Sequence, residues 1–254
     1  MNDGVTINMN SLSKLVGLQA PQAYRKLLES WTDVEAVNIF EYEAPPHMQD
    51  RIVMGETERR LVERAKRMRH GTGVPFWEAV FATCSVEGQC SDSIISAALF
   101  HNGQGVQKHV SMRQIDEGAL EKVVKEGANR VVALGSRVFG RDGPRGHLNF
   151  MDFRCLVSEQ SRVLVHRICR RLMPDGFLLL DSGGSYHACS ANIVSDEERI
   201  RMLAMALLVS PIVDARYAAH QLLQESSSIR ISNGGSQGRI PVVVDAWCRE
   251  ISQE

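Results

Sequence analysis

What this sequence lacks narrows its class first. Among its 254 residues there is no CxxC pair, and Cys84, Cys90, Cys155, Cys169, Cys189 and Cys248 stand at no spacing typical of zinc ligands. They are read as six reduced, mostly buried thiols, because free cysteine packs as a small hydrophobe. No apolar run approaches the ~20 residues that span a bilayer. The opening segment MNDGVTINMNSLSKLVG has no basic stretch leading into an apolar one. The expectation is a soluble, cytoplasmic protein with no membrane partner. Charge of one sign is lacking too: the formal net charge is −1, so any contact with nucleic acid has to come from a local patch. What remains is an ordinary globular balance, 44% hydrophobic and 23% charged, with enough chain for one large domain or two small ones.

The first hundred residues read as mainly helical. Met54 to Met68 places Leu61, Ala65 and Met68 on one stripe among Glu and Arg, the pattern of an amphipathic surface helix. Phe76 to Thr83 and Ser91 to Phe100 are two further apolar segments, and the loop Asn102-Gly103-Gln104-Gly105 is the expected domain boundary. The division predicted is a helical region over 1–105 and an α/β (α+β) core over 106–254.

In that second part strands mix with helices. Asp116 to Glu126 predicts a helix, Arg130 to Phe139 a strand, His147 to Cys155 a strand, and Ser158 to Met173 a helix capped by Ser158. Phe177 to Ser182 and Ser185 to Ser190 flank Gly183-Gly184, a two-residue turn suited to a β-hairpin. Ser195 with Glu198 makes a capping box for the next helix, to about Val209. A helix-like run follows Asp214, and two strands, Ile229 to Ser232 and Ile240 to Val244, flank the Gly-rich loop Asn233 to Gly238.

Three segments deliver polar groups from apolar surroundings. In Leu148 to Arg154 a carboxylate, Asp152, sits inside an apolar strand, which is costly unless it is paired, hydrogen-bonded or metal-bound. Phe150, Asp152 and Arg154 share a face by alternation, so an Asp152–Arg154 ion pair is the plain structural alternative. In Asp181 to His187, Ser185 and His187 project to one side after two glycines that let a ligand approach; a hydroxyl and an imidazole can together hold a phosphate. In Pro211 to Gln221, Asp214 ends an apolar run, and beyond it Arg230 lies in a strand where it is either solvated or a bidentate phosphate contact. Two basic runs admit two readings each. Arg162, His166, Arg167, Arg170 and Arg171 on one helix, and Arg59, Arg60, Arg64, Lys66, Arg67 and Arg69 on another, are solvated faces or phosphate-tracking grooves.

The order of these segments resembles the archaeo-eukaryotic primase-polymerase superfamily, in particular its bacterial primase-like (primase 1D-like) branch. The matching phrases are Met151-Asp152-Phe153, Ser182 to His187, Pro211 to Leu222 and Ile229 to Ser232, over about residues 106–245. The resemblance implies an RRM-like core sheet and a metal-dependent nucleotidyltransferase that uses nucleoside triphosphates, magnesium or manganese, and a nucleic-acid strand. Asp152 and Asp214 would be metal ligands and, with His187, the catalytic residues; Ser185, His187 and Arg230 would bind nucleotide. One departure stands out. The family's first motif is two acids separated by one residue, and here the partner of Asp152 is Phe150 or Arg154, depending on the alignment. That departure leaves open a second function: a catalytically degenerate, nucleic-acid- or nucleotide-binding subunit of a bacterial mobile-element or antiviral-defence assembly, with a protein partner.

Overall fold

The computed structural model describes residues 9–43, 55–100, 105–126, 130–233 and 239–249. The boundary residues 102–104 and most of the Gly-rich loop, 234–238, lie outside them. The chain divides into two compact units, Met1–Ala44 with Gln104–Glu254, and Pro45–Gly103.

The first unit starts with α1 (Met9–Ser13) and α2 (Ala20–Glu29), which opens with a proline in its first turn and buries Ala23, Tyr24, Leu27 and Leu28 along one stripe. Next comes β1 (Ala36–Glu43). The second unit is helical: α3 (Glu56–Thr72), α4 (Phe76–Glu87) and α5 (Asp92–Leu99). The first two stop at Gly73 and Gly88, whose positive φ angles close the last turns, and Ser91 caps the third. Leu61, Ala65, Trp77, Val80, Ile94 and Ala97 form its core. Its sulfurs Cys84 and Cys90 lie 3.1 Å apart as free thiols. Of the six cysteines, Cys90 and Cys155 are half-buried and the rest are buried.

The chain then returns to the first unit with β2 (Val106–Ser111), α6 (Met112–Asp116), α7 (Ala119–Glu126), β3 (Arg130–Gly140), β4 (Gly143–Asp152), α8 (Glu159–Leu172), β5 (Gly176–Asp181), β6 (Tyr186–Val194), α9 (Asp196–Leu207), α10 (Ala215–Leu222), β7 (Ser228–Arg230) and β8 (Val242–Cys248). The predicted capping box on α9 is present in both of its hydrogen bonds. Ser111 and Gln114 form a second one on α6. No helix among the described residues is long and apolar enough to cross a membrane.

The described residues of 1–105 are mainly helical, with one strand among the helices. Residues 36–43 are a strand that pairs with both β2 and β3, so the N-terminal stretch completes the sheet, and the helical unit is an excursion between β1 and β2.

The strands form one antiparallel sheet in the order β2-β1-β3-β4-β6-β5-β8, with β7 attached to β3. Side-chain alternation divides the sheet into two cores. Phe150, Leu178, Leu180 and Cys189 face α2 and α7, whereas Met151, Phe153, Leu179 and Ala188 face α8, α9 and α10. The result is a mixed α/β architecture with helices on both faces of the sheet.

The registers show how the sheet opens a site. The C-terminal half of β3 pairs with β4, from Arg137↔His147 to Gly140↔Gly143. Continued in register, β4 would set Asn149 and Met151 against Gly135 and Ala133. Those positions pair instead with Ser228 and Arg230 of β7. β4 has therefore left β3 by about residue 148, where its pairing with β6 also shifts register between Leu148 and Phe150. Two strands share one edge of β3, and the sheet forks between them.

Candidate active site

The ends of the fork carry the polar groups. Asp152 is the last residue of β4 and sits directly opposite His187 of β6. Both side chains are on the face that carries Phe150 and Cys189, two residues earlier and later on their strands. His187 Nε2 is 3.6 Å from Asp152 Oδ1. The imidazole is buried and its Nδ1 has no hydrogen-bond partner among the described residues. Burial, and then the positive charge of Arg230, push His187 down to about 3, so the ring is neutral.

Asp214 reaches the same place along the main chain. Phe153 and Val213 form an isolated antiparallel bridge, Asp214 N–H donates to Asp152 O at 2.9 Å, and Arg154 N–H donates to Ile212 O at 2.8 Å. Asp214 is also the N-cap of α10, its Oδ1 accepting from Arg216 N–H at 2.9 Å and Tyr217 N–H at 3.0 Å. The two carboxylates face each other electrostatically. Burial first, then the Asp214 charge, raise Asp152 to about 8, against the weaker pull of Arg230. Even so, 29% of the Asp152 side chain remains exposed, enough for a ligand to reach it.

The predicted hairpin forms the rim. Ser182 N–H donates to Ser185 O at 2.9 Å, closing a turn in which Gly183 has φ +107, and the Asp181 carboxylate accepts from Gly183 N–H at 2.8 Å. Ser185 Oγ is 3.2 Å from Ser182 Oγ, one residue before β6. Arg230 crosses the fork to this turn. Its Nη2 donates to Ser182 O at 2.8 Å, and its Nη1 to the carbonyls of Ser232 and Arg239. With only carbonyls as hydrogen-bond partners among the described residues, the guanidinium keeps its net charge and holds it still beside Asp152.

Arg154, the alternative occupant of the family's second acidic position, makes no ion pair with Asp152 among the described residues; the arginine whose charge weighs most on Asp152 is Arg230. Phe150, the other alternative, is fully buried and stacks edge-on against Tyr24 at 6.2 Å. Strand β4 therefore brings a single acid to the site. Two residues escaped the sequence reading. Tyr217 is half-buried at the fork, donates to Ser228 O at 2.9 Å and feels the Asp152 charge; it lies inside the quoted Pro211 to Leu222 phrase, so its position was the available signal. Arg239 pairs with Asp181 at the base of the hairpin, with no local pattern to announce it.

A family model described as AEP-like, archaeo-eukaryotic primase 1D-like, matches residues 112–240. The chain belongs to this family. No curated protein and no solved structure matches it. The match runs from α6 past β7, so it covers the fork and each of Asp152, Ser185, His187, Asp214 and Arg230.

Whether a metal fits can be judged from the donors. Among the described residues no three of His, Cys, Asp and Glu stand close enough to hold an ion alone. Two carboxylates do suit a magnesium-like cation that keeps water and brings phosphate oxygens as its other ligands. The residues present thus fit a cation carried in by a nucleotide and do not form an all-protein cage.

Proposed function

We propose that this primase-like core is a nucleotidyltransferase that takes a nucleoside triphosphate as its magnesium or manganese complex and adds nucleotides to a nucleic-acid strand. The observation that carries the reading is the pair Asp152 and Asp214, two acids held together by a main-chain hydrogen bond and partly stripped of water, with a fixed positive charge beside them. Such a pair is unfavourable alone and gains from a divalent cation. When bound, the cation supplies charge neutralisation of the triphosphate and polarisation of the attacking hydroxyl.

The chain's own residues do the positioning. Asp152 and Asp214 hold the cation. Neutral His187 offers one ring N–H, and Ser185 a hydroxyl, to phosphate oxygens. Arg230, clamped by three carbonyls, presents its charge to the phosphates without reorganising. The Gly183–Gly184 turn lets the triphosphate come close to the main chain.

A specific observation favours a second reading, a binding subunit that retains nucleotide without transferring it. Phe150 fills the core where a second strand acid would stand, and Asp214 spends one oxygen on its helix cap. Calorimetric titration of nucleoside triphosphate, with and without Mg²⁺ or Mn²⁺, followed by primer extension on a primed template, separates the two. The first reading expects cation-dependent binding, weakened about a hundredfold by Asp152→Ala, together with extended product. Binding without extension replaces it by the second, and no nucleotide binding in the presence of cation removes both.

A further inference from the structure

The opposite end of the same sheet carries a groove that the nucleotide site does not use. β5 separates the two: the hairpin of the site follows Asp181, whereas the groove lies by Pro174, before Gly176. A six-residue strand spans about 20 Å, so both places can be occupied at once. The groove has a volume of about 790 Å³ between α8 and α9, with Trp247 of β8 in its lining.

Its chemistry is uneven in a specific way. On α8 the buried stripe is Val165, Cys169 and Leu172, yet the neighbouring stripe Leu164, Arg167, Ile168 and Arg171 is not purely polar, and Leu164 is 43% exposed. On α9 the buried residues Met202, Leu203 and Ala206 are followed outward by Met205, 40% exposed, and just past the helix by Leu208, 83% exposed. Around this apolar floor stand Arg167, Arg170, Arg171 and Arg249, with no Asp or Glu in the lining among the described residues. None of the four arginines joins an ion pair among the described residues. An apolar trough rimmed by four arginines, none of them in an ion pair among the described residues, calls for a ligand that is apolar along one face and acidic along its edges.

Nucleic acid is the poorer match. Strand recognition combines a basic track with open aromatic faces for bases. Trp247 has Arg170 over its ring at 4.8 Å and packs beside its cross-strand neighbour Phe177 at 5.8 Å, so a base would have to compete with the guanidinium for that face. Exposed Leu208 and Met205 would gain nothing from a phosphate backbone. We infer that the α8–α9 groove docks an amphipathic helix of a partner protein, with apolar residues at i, i+3 or i+4 and i+7 in the trough and Asp or Glu flanking them toward the arginines.

The test uses the full chain as bait for a display library of helical peptides. Selection on the wild type, counter-selected against Leu208→Asp, is expected to enrich sequences with that apolar spacing and acidic flanks. Binding of the enriched peptide, followed by fluorescence anisotropy, should weaken about tenfold with Leu208→Asp and again with Arg167→Glu plus Arg171→Glu. These positions are exposed, and circular dichroism should show unchanged folds. Enrichment of peptides without acidic flanks, no enrichment at all, or affinity untouched by Leu208→Asp would each overturn the assignment. So would displacement of the peptide by a single-stranded oligonucleotide or by anionic phospholipid vesicles, which would name another class of ligand.

Discussion

Two polar clusters lie along the fork, and they are finished to different degrees. At its closed end Ser136, His147, Arg199 and Ser227 form a buried network. Ser136 Oγ meets His147 Nδ1 at 2.9 Å and accepts from Ser227 N–H at 2.8 Å, and His147 Nε2 donates to Asp196 at 2.9 Å. Arg199 donates to Gln221 O, Gln224 O and Ser227 Oγ, leaving only its Nε without a hydrogen bond. At the open end Asp152 and His187 stay 3.6 Å apart, His187 Nδ1 has no hydrogen-bond partner among the described residues, and burial with the Asp214 charge holds Asp152 far above the usual carboxylate range. Both clusters are made of groups that are costly to bury. One has its partners inside the chain and holds the fork together; the other lacks them, as a site does that is completed by a ligand. Mutations should separate the two by the sign of their effect on stability.

The largest effect is expected in the closed cluster. Arg199→Met keeps much of the volume and the apolar stem but removes the donors to one buried carbonyl, one half-buried carbonyl and a buried hydroxyl. The loss should be about 3 kcal/mol, partly offset by no longer burying a guanidinium. Urea denaturation at pH 7 measures it. A loss below about 0.5 kcal/mol would erase the distinction between the clusters, since surface substitutions alone produce that much.

How much of this was legible beforehand depends on the range of the signal. The hairpin at Gly183–Gly184, the caps at Ser158 and Ser195, and the strand placements of Asp152 and His187 came from local chemistry: turn residues, capping boxes and alternation. Strand β1 did not. Its pairing partners start at residues 106 and 130, and nothing within Ala36–Glu43 points to them. The fork is a matter of register among β3, β4 and β7, which periodicity cannot express. For the same reason Arg154 suggested an ion pair from its position two residues beyond Asp152, whereas the relevant arginine, Arg230, arrives from 78 positions later through a strand at the other side of the fork. Arg199, on a helix face among acids, gave no hint of burial.

A smaller effect should follow from pH. Burial and the nearby Arg199 and Arg137 charges outweigh the pull of Asp196 and push His147 down to about 4. An unfolded histidine titrates near 6.5. Between those values the unfolded chain takes up a proton that the native state refuses, so stability falls as pH drops from about 6.5 to about 4. Over the two pH units between about 6.5 and 4.5 this group should account for about 2.5 kcal/mol. Comparing denaturation of wild type and His147→Gln at pH 7 and pH 4.5 isolates it: the variant should start less stable and lose less on acidification. An equal loss in both proteins would show that His147 is protonated within the fold as an ion-pair partner of Asp196.

The smallest change, with the opposite sign, should come from the open cluster. Asp152→Asn keeps the shape and replaces a carboxyl that burial and the Asp214 charge raise to about 8, so that folding near pH 7 no longer has to take up a proton there, while the main-chain hydrogen bond from Asp214 N–H to Asp152 O is untouched. The ligand-free protein should gain about 1 kcal/mol, because sites that await a ligand trade stability for readiness. The same variant should lose cation-dependent nucleotide binding, so that saturating Mg²⁺ and nucleoside triphosphate raise the melting temperature of wild type but leave that of the variant unchanged. Thermal shift with and without the ligand reads both parts at once. A variant that is destabilised and still responds to nucleotide would place Asp152 among the structural polar groups, on the same footing as His147, and would leave the fork without a cation site.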